Sequence, residues 1–298
     1  MSAVKRVRTA AILAAGLGTR MLPATKAVPK EMLPVYDKPL IQYAVEEAVA
    51  AGIERIVFVI AEGKEAVREH FSPGGRVATW LRARNQHALA EIVERPATLA
   101  EFCWAWQDQP LGIAHAVRCA REYLEGEPFV LIFPDDLILA PRPCTKQLVD
   151  AWEQAGGGSV IAVHEVPEAE IPQYGIVSPA DDGNPCRLKA VVEKPRPEEA
   201  PSNLGIVGRY VISETIFEHI DRLRPGVGGE LQITDALASQ IAAGEPVFAY
   251  RYEGERFDTG RPAGWLAACV AVALSRPDAR ALVEPRLSAL LQARGRTS

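Results

Sequence analysis

Three apolar runs, residues 7–14, 55–61 and 128–133, constrain this chain more than any other feature. Each is strand-length and does not alternate with polar residues. A strand with apolar side chains on both faces must be covered on both faces, as in parallel sheets flanked by helices. Between these runs the spacing turns helical. "PLIQYAVEEAVAAG" (39–52) opens on proline and ends on glycine, and "GIAHAVRCAREYL" (112–124) follows a strand-like "CWAWQ" (103–107). Polar helical stretches are expected over 62–71 and 77–101, broken by "FSPGG" (71–75). Alternation of strand and helix predicts an α/β fold: a Rossmann-like, mainly parallel mixed sheet flanked by helices.

The texture changes in the second half. "YGIVSP" and "CRLKAVVEKP" flank the turn-forming "ADDGNP", so residues 174–195 predict two strands around a turn. "LGIVGRYVI" (204–212) and "PVFAYRY" (246–252) read as strands, and "ELQITDALASQIAAG" (230–244) as a helix capped by glycine. After "ERFDTGRP" (255–262) only helical pattern remains, through about Leu291. The expectation is a β-rich insertion built onto the sheet, then a helical C-terminal tail.

Charge and cysteine usage narrow the function classes. Acidic groups outnumber basic ones 38 to 33, for a net charge of −5, so the surface as a whole does not attract a nucleic-acid backbone. Any polyanion site must be a local basic pocket. The five cysteines are odd in number and form no CxxC pair, which argues against a disulfide scaffold or zinc site and fits a reducing cytoplasm. No apolar run approaches the roughly 20 residues that span a bilayer, so no membrane partner is expected. Lys5, Arg6 and Arg8 before "TAAILAAGLG" imitate a signal peptide, but Arg20, Lys26 and Lys30 follow where a cleavage site would stand; a buried first strand is the better reading.

That first run empties into Gly16-Leu17-Gly18, with Thr19, Arg20, Lys26 and Lys30 close behind. A glycine-rich loop after a strand exposes backbone N–H groups that suit phosphate, and residues without a Cβ let the backbone approach closely. The GxxxxGK[ST] pattern is absent, and GxGxxG fails at Met21. A lone GxG is also what an ordinary tight turn needs. The cations decide: Arg20 offers a planar fork and Lys30 a mobile point charge, on a segment stiffened by Pro23 and Pro29.

"GLGTRMLPATKAVPKEMLPVYDKPLIQY" resembles the signature of the sugar-1-phosphate nucleotidylyltransferases, roughly GxGTRxxPxTxxxPKxxLPV. Its "PKEMLPV" form is similar to the bacterial UTP–glucose-1-phosphate uridylyltransferase branch. The likeness runs, with gaps, from about residue 8 to 266. It implies a nucleotidyltransferase domain over 1–262, with a nucleotide-binding half of about 1–165 and a sugar-binding half of about 166–262, then a C-terminal helical segment over 263–298. The implied substrates are UTP and glucose 1-phosphate, the implied cofactor is Mg²⁺, and a homo-oligomer, dimer or tetramer, is expected. Thymine in place of uracil, another hexose 1-phosphate, or a regulatory homologue without turnover remain the alternatives.

Site residues follow from the same resemblance. Ala14, Ala15, Gly16, Gly18 and Thr19 would cradle the nucleotide. Gln107, which can donate and accept, and Gly112, which leaves room, would hold the base. Asp135 in "FPDD" and Asp258 in "RFDTG" would share the Mg²⁺, Asp136 serving behind them or capping a helix. Tyr174, Gly175, Glu193, Lys194 and Val207 would form the sugar-phosphate pocket. Glu193 and Lys194, as strand neighbours, share a ligand only if the strand ends there, which Pro195 favours. Arg20, Lys30 and Lys194 would be the catalytic cations. The sequence departs from the family at Ala105-Trp106, where relatives often carry arginine beside the glutamine. It departs again at Gly260-Arg261-Pro262, where Gly-Asp-Lys is common.

Overall fold

The computed structural model describes residues 6–295; Lys5 of the basic cluster and the last three residues of the C-terminal segment lie outside the described residues. The chain opens with β1 (Thr9–Leu13), the glycine loop and two 3₁₀ turns, Thr19–Met21 and Lys30–Met32. A short ribbon, β2 (Pro34–Val35) and β3 (Lys38–Pro39), leads into α1 (Leu40–Ala50). Then come β4 (Arg55–Ile60), α2 (Glu65–His70), the excursion α3 (Arg76–Arg82) and α4 (His87–Glu94), and β5 (Glu101–Trp106). Helices α5 (Ile113–Cys119) and α6 (Arg121–Leu124) precede β6 (Phe129–Ile132).

The stretch after β6 holds elements that sequence patterning did not resolve: β7 (Asp136–Leu139), α7 (Cys144–Ala155) and β8 (Ser159–Glu165). A 3₁₀ turn, Glu168–Gln173, enters the predicted strand pair β9 (Gly175–Pro179) and β10 (Cys186–Glu193), followed by β11 (Leu204–Ile212). The remainder is α8 (Ile216–Ile220), α9 (Ile233–Ala242), β12 (Val247–Arg251), β13 (Glu255–Asp258), α10 (Pro262–Ser275) and α11 (Pro277–Gly295). The helix expected from residue 230 starts later because Leu231 N–H still donates, extended, to Leu111 O.

Nine strands form one sheet in the order β5-β4-β1-β6-β11-β8-β12-β10-β9. The expectation of a mainly parallel sheet is corrected here. β5, β4, β1 and β6 are parallel, and so are β8 and β12, but β11 runs antiparallel to both β6 and β8, and β10 to both β12 and β9. An apolar run encodes burial on both faces, not direction. One face packs Ala11, Val57, Leu131 and Tyr210 beneath α5, α8 and α9; the other packs Ile12, Phe58, Val130 and Val211 beneath α1 and α7. From β1 the chain moves to β4 on one side and later to β6 on the other. The switch point therefore opens at the carboxyl ends of β1 and β6, where α/β sheets bind ligands.

Candidate active site

The loop after β1 is built around Lys30. Gly18 has φ 66°, and a Cβ there would lie 3.2 Å from Lys30 Cβ, so glycine is needed both for the left-handed turn and for the close approach. Thr25 Oγ1 donates to Gly18 O at 2.9 Å and closes the loop. Lys30, starting its 3₁₀ turn, sends a largely buried side chain to Asp135, Nζ donating to Oδ2 at 2.6 Å. Burial works against its charge, but Asp135 and Glu31 outweigh that and raise the Lys30 pKa, so it stays an ammonium.

Lys64, unnoticed in its polar helical context, holds the loop from beneath. Its Nζ donates to Gly16 O at 2.6 Å and to Glu31 Oε2 at 2.7 Å, with both side chains buried. Burial pushes the Glu31 carboxyl up against the pull of Lys64 and Lys30, and Glu31 Oε1 has no partner.

Asp135 follows β6 and begins the turn into β7. β7 and β13 form an antiparallel ribbon in which Asp136 is paired with Asp258. This register brings Asp258 beside Asp135, and Thr259 locks it by donating from both N–H and Oγ1 to Asp135 O at 2.8 Å. The carboxylates converge: a Cβ at Gly260 would lie 3.0 Å from Asp135 Oδ2, 3.1 Å from Asp258 Oδ1 and 2.8 Å from Arg20 Nη2. Arg20 stands 3.7 Å from Asp135 and 4.0 Å from Asp258. Burial opposes the Asp135 charge, but Lys30 and then Arg20 outweigh it and hold the carboxyl below its ordinary value.

Asp136 caps no helix: it opens β7 and lines the larger cleft behind Asp135. It accepts from Arg256 Nε at 2.6 Å and from Gly208 N–H at 2.9 Å. Arg256 Nη1 in turn donates to Tyr174 Oη at 2.8 Å, tying the ribbon to the far wall. Arg256, Thr259 and Gly208 were all missed in sequence, because each is defined by a partner far along the chain.

On that far wall β10 ends at Glu193 and Lys194 takes φ 46°. The break turns both side chains into one cleft, which answers the strand-neighbour problem. Glu193 Oε2 accepts from Thr234 Oγ1 at 2.8 Å, and Lys194 Nζ lies 3.3 Å from Glu193 Oε1. A Cβ at Gly175 would press on Thr234, Ile206 and Glu193 at 3.0–3.2 Å.

Two clefts result. The larger, about 500 Å³, is lined by Arg20, Tyr174, Gly175, Glu193, Lys194, Asp258 and Arg261, among others. The smaller, about 300 Å³, is lined by Ala15, Gly16, Lys30, Gln107, Gly112 and Glu230. They share Ile113, Phe133 and Asp135, so the aspartate stands at their junction. Gln107 Nε2 donates to Gly112 O at 3.1 Å and faces His115 Nδ1 at 3.1 Å, which leaves its carbonyl oxygen, an acceptor, for a ligand. Gly112 has φ 101°, and a Cβ there would meet Leu231 O at 2.6 Å.

Four predicted contact residues line neither cleft. Val207 packs in the core on the opposite sheet face, leaving the cleft to Ile206, Gly208 and Tyr210, as strand alternation requires. Ala14 is fully buried, its N–H donating to Val59 O at 2.8 Å. Gly18 and Thr19 form the turn behind the smaller cleft rather than its lining. Lys26 is exposed and lines neither cleft, and Trp106 points outward, 44% exposed.

Comparison with known proteins agrees with this geometry. Residues 9–273 match the family model described as nucleotidyl transferase. A Bacillus subtilis (strain 168) protein named UTP–glucose-1-phosphate uridylyltransferase is 42% identical over 289 residues, covering 97% of this chain and 98% of its own length. A Staphylococcus epidermidis protein of the same name is 41% identical over 92% of this chain and 95% of its own length. A crystal structure of UDP-glucose pyrophosphorylase complexed with UDP-glucose superposes with TM-score 0.82 at 34% identity, covering 91% of this chain and all of the other. UTP-bound UGPase from Acinetobacter baumannii superposes with TM-score 0.85 at 33% identity, covering 94% of this chain and 98% of its own. A match that runs through nearly the whole chain, with relatives above 40% identity, means that this chain belongs to the nucleotidyl transferase family.

Proposed function

We propose that the chain transfers the uridylyl group of UTP to α-D-glucose 1-phosphate, giving UDP-glucose and pyrophosphate. The observation that carries this reading is the junction: Lys30 and Arg20 both face Asp135 where the two clefts meet. The nucleotide would lie in the smaller cleft, its uracil imide N–H donating to the Gln107 carbonyl. The hexose would lie in the larger cleft, its hydroxyls donating to Glu193 and its phosphate held by Lys194.

The sugar phosphate attacks the α-phosphorus of UTP in line. Its oxygen is already anionic, so no general base is needed, and neither cleft is lined by a serine, cysteine or histidine. Lys30 draws charge from the α-phosphate and Arg20 from the departing pyrophosphate, so rate comes from holding two anions together and offsetting their repulsion.

Asp135 and Asp258 suit Mg²⁺, which takes a few carboxylates plus phosphate oxygens and water. Among the described residues no cluster of three or more His, Cys, Asp or Glu cages a metal. The ion would therefore rely on nucleotide oxygens, neutralising phosphate charge when bound. The test is pyrophosphate release with UTP, dTTP and other triphosphates against several hexose 1-phosphates, with and without Mg²⁺. Release fastest with UTP, glucose 1-phosphate and Mg²⁺ together is the expected result, and none with any pair would overturn the reading.

Five unpaired cysteines, and no described helix long and apolar enough to cross a membrane, accord with a cytoplasmic setting. Exposed Leu266, Leu282, Leu290 and Leu291 on α10 and α11 support a dimer or tetramer. Sedimentation should then give two or four times the 32.3 kDa chain mass; a monomer at micromolar concentration would refute this.

A further inference from the structure

The larger cleft contains a cation that the roles above leave unassigned. Arg261 stands between β13 and α10, its side chain 51% exposed. Its backbone is extended, φ −129°, so the position imposes no special residue type. The guanidinium spans the cleft mouth. On one wall its Nε lies 3.4 Å from Asp258 Oδ2; on the other its Nη2 donates to Gln173 Oε1 at 2.6 Å. Gln173 ends the 3₁₀ turn that runs into Tyr174 and Gly175.

Neither contact is a strong hold. A half-exposed ion pair contributes little, and Asp258 has Arg20 as a second cation. Gln173 is a neutral, exposed amide. A phosphate entering between the walls offers the same fork a full negative charge and two oxygens in the matching geometry. Arg261 lines the larger cleft, with Glu193 and Lys194, and not the smaller one. Arg20 shares that cleft and is given the pyrophosphate, but Arg261 bridges to Gln173, beside the Tyr174-Gly175 wall, so the anion it meets is the one delivered on the sugar side.

We infer that Arg261 is a further substrate-binding residue: it releases Gln173 and closes over the phosphate of the sugar 1-phosphate, opposite Lys194. The identity of that phosphate rests on the uridylyltransferase reading. The test measures initial rates of pyrophosphate release for the unaltered chain, Arg261→Ala and Arg261→Lys, varying glucose 1-phosphate, UTP and Mg²⁺ in turn.

Loss of a charge-assisted bond should raise KM for glucose 1-phosphate about 10–100-fold in Arg261→Ala. KM for UTP and the Mg²⁺ concentration giving half-maximal rate should stay within about twofold. Arg261→Lys, which keeps the charge without the fork, should fall between. An unchanged KM for glucose 1-phosphate overturns the inference. So does a loss confined to the Mg²⁺ requirement, which would make Arg261 a positioning residue for Asp258. The two readings separate in the unaltered chain: no release there ends the functional reading itself, whereas release with unchanged KM in both variants ends only the role of Arg261.

Discussion

Lys30 lines the smaller cleft and reaches Asp135, which lines both. Lys30→Ala should lower turnover by about two orders of magnitude or more, the usual effect of removing one preorganised charge from a developing anion. Circular dichroism should show the fold intact, and near-unaltered turnover would remove Lys30 from the mechanism. Lys64 acts differently, by holding Gly16 O and Glu31 beneath the loop. Lys64→Met strands a buried carboxylate and should cost about 3–5 kcal/mol in urea unfolding. Adding Glu31→Gln to that variant should recover part of the loss. The place of Lys30 beside the glycine loop was legible in sequence because glycines and prolines around it suggested such a loop. Lys64 was not, because its partners lie 48 and 33 residues away and its own segment is polar and helical. The Val207 side chain lies away from the cleft for a readable reason: in a strand where Ile206 and Gly208 face a cleft, the residue between them faces the core.

At the scale of elements, the site is governed by how closely two backbones approach. Gly260 sits where a Cβ would crowd Arg20, Asp135 and Asp258 at 2.8–3.1 Å. Gly260→Ala should therefore raise the Mg²⁺ needed for half-maximal rate several-fold and lower turnover, while changing the melting temperature little, since Arg20 is the flexible end of an exposed side chain. A titration of rate against Mg²⁺ checks this; an unchanged curve would show that the carboxylates do not converge there. β1, β4, β6 and α1 were legible because each is a local pattern with its own start and stop signals. Strand direction was not, so the antiparallel entry of β11 beside β6 emerged only in three dimensions. The β7–β13 ribbon was hidden for the same reason. Each strand is four residues long, and the pairing of Asp136 with Asp258 is information that neither carries alone.

Across the whole molecule, one buried polar cluster ties the layers together. Arg209 of β11 donates to Glu47 of α1 through Nε at 3.0 Å and Nη2 at 2.8 Å, and Thr145 of α7 donates to the same carboxylate. Burial pushes Glu47 up, but Arg209 and the Thr145 bonds outweigh it, so its pKa lies below the ordinary 4.5. The folded state thus favours the ionised form. Its contribution is present above pH 4.5 and is lost as pH falls through the depressed folded value. Glu47→Gln should cost about 3–5 kcal/mol near neutrality. The gap between variant and unaltered chain should narrow as unfolding is followed down through acid pH, and a gap independent of pH would contradict the assignment.

The ribbon also sets an order of events. All nine strands of the sheet lie between residues 9 and 251, whereas Asp258, with Thr259 to fasten it, comes afterwards and from outside that sheet. During synthesis the nine strands and the glycine loop can be complete while Asp258 is still unmade. A chain arrested just past β12 would hold Asp135 with no Asp258 beside it. The junction of the two clefts is therefore closed only by residues made after the whole sheet.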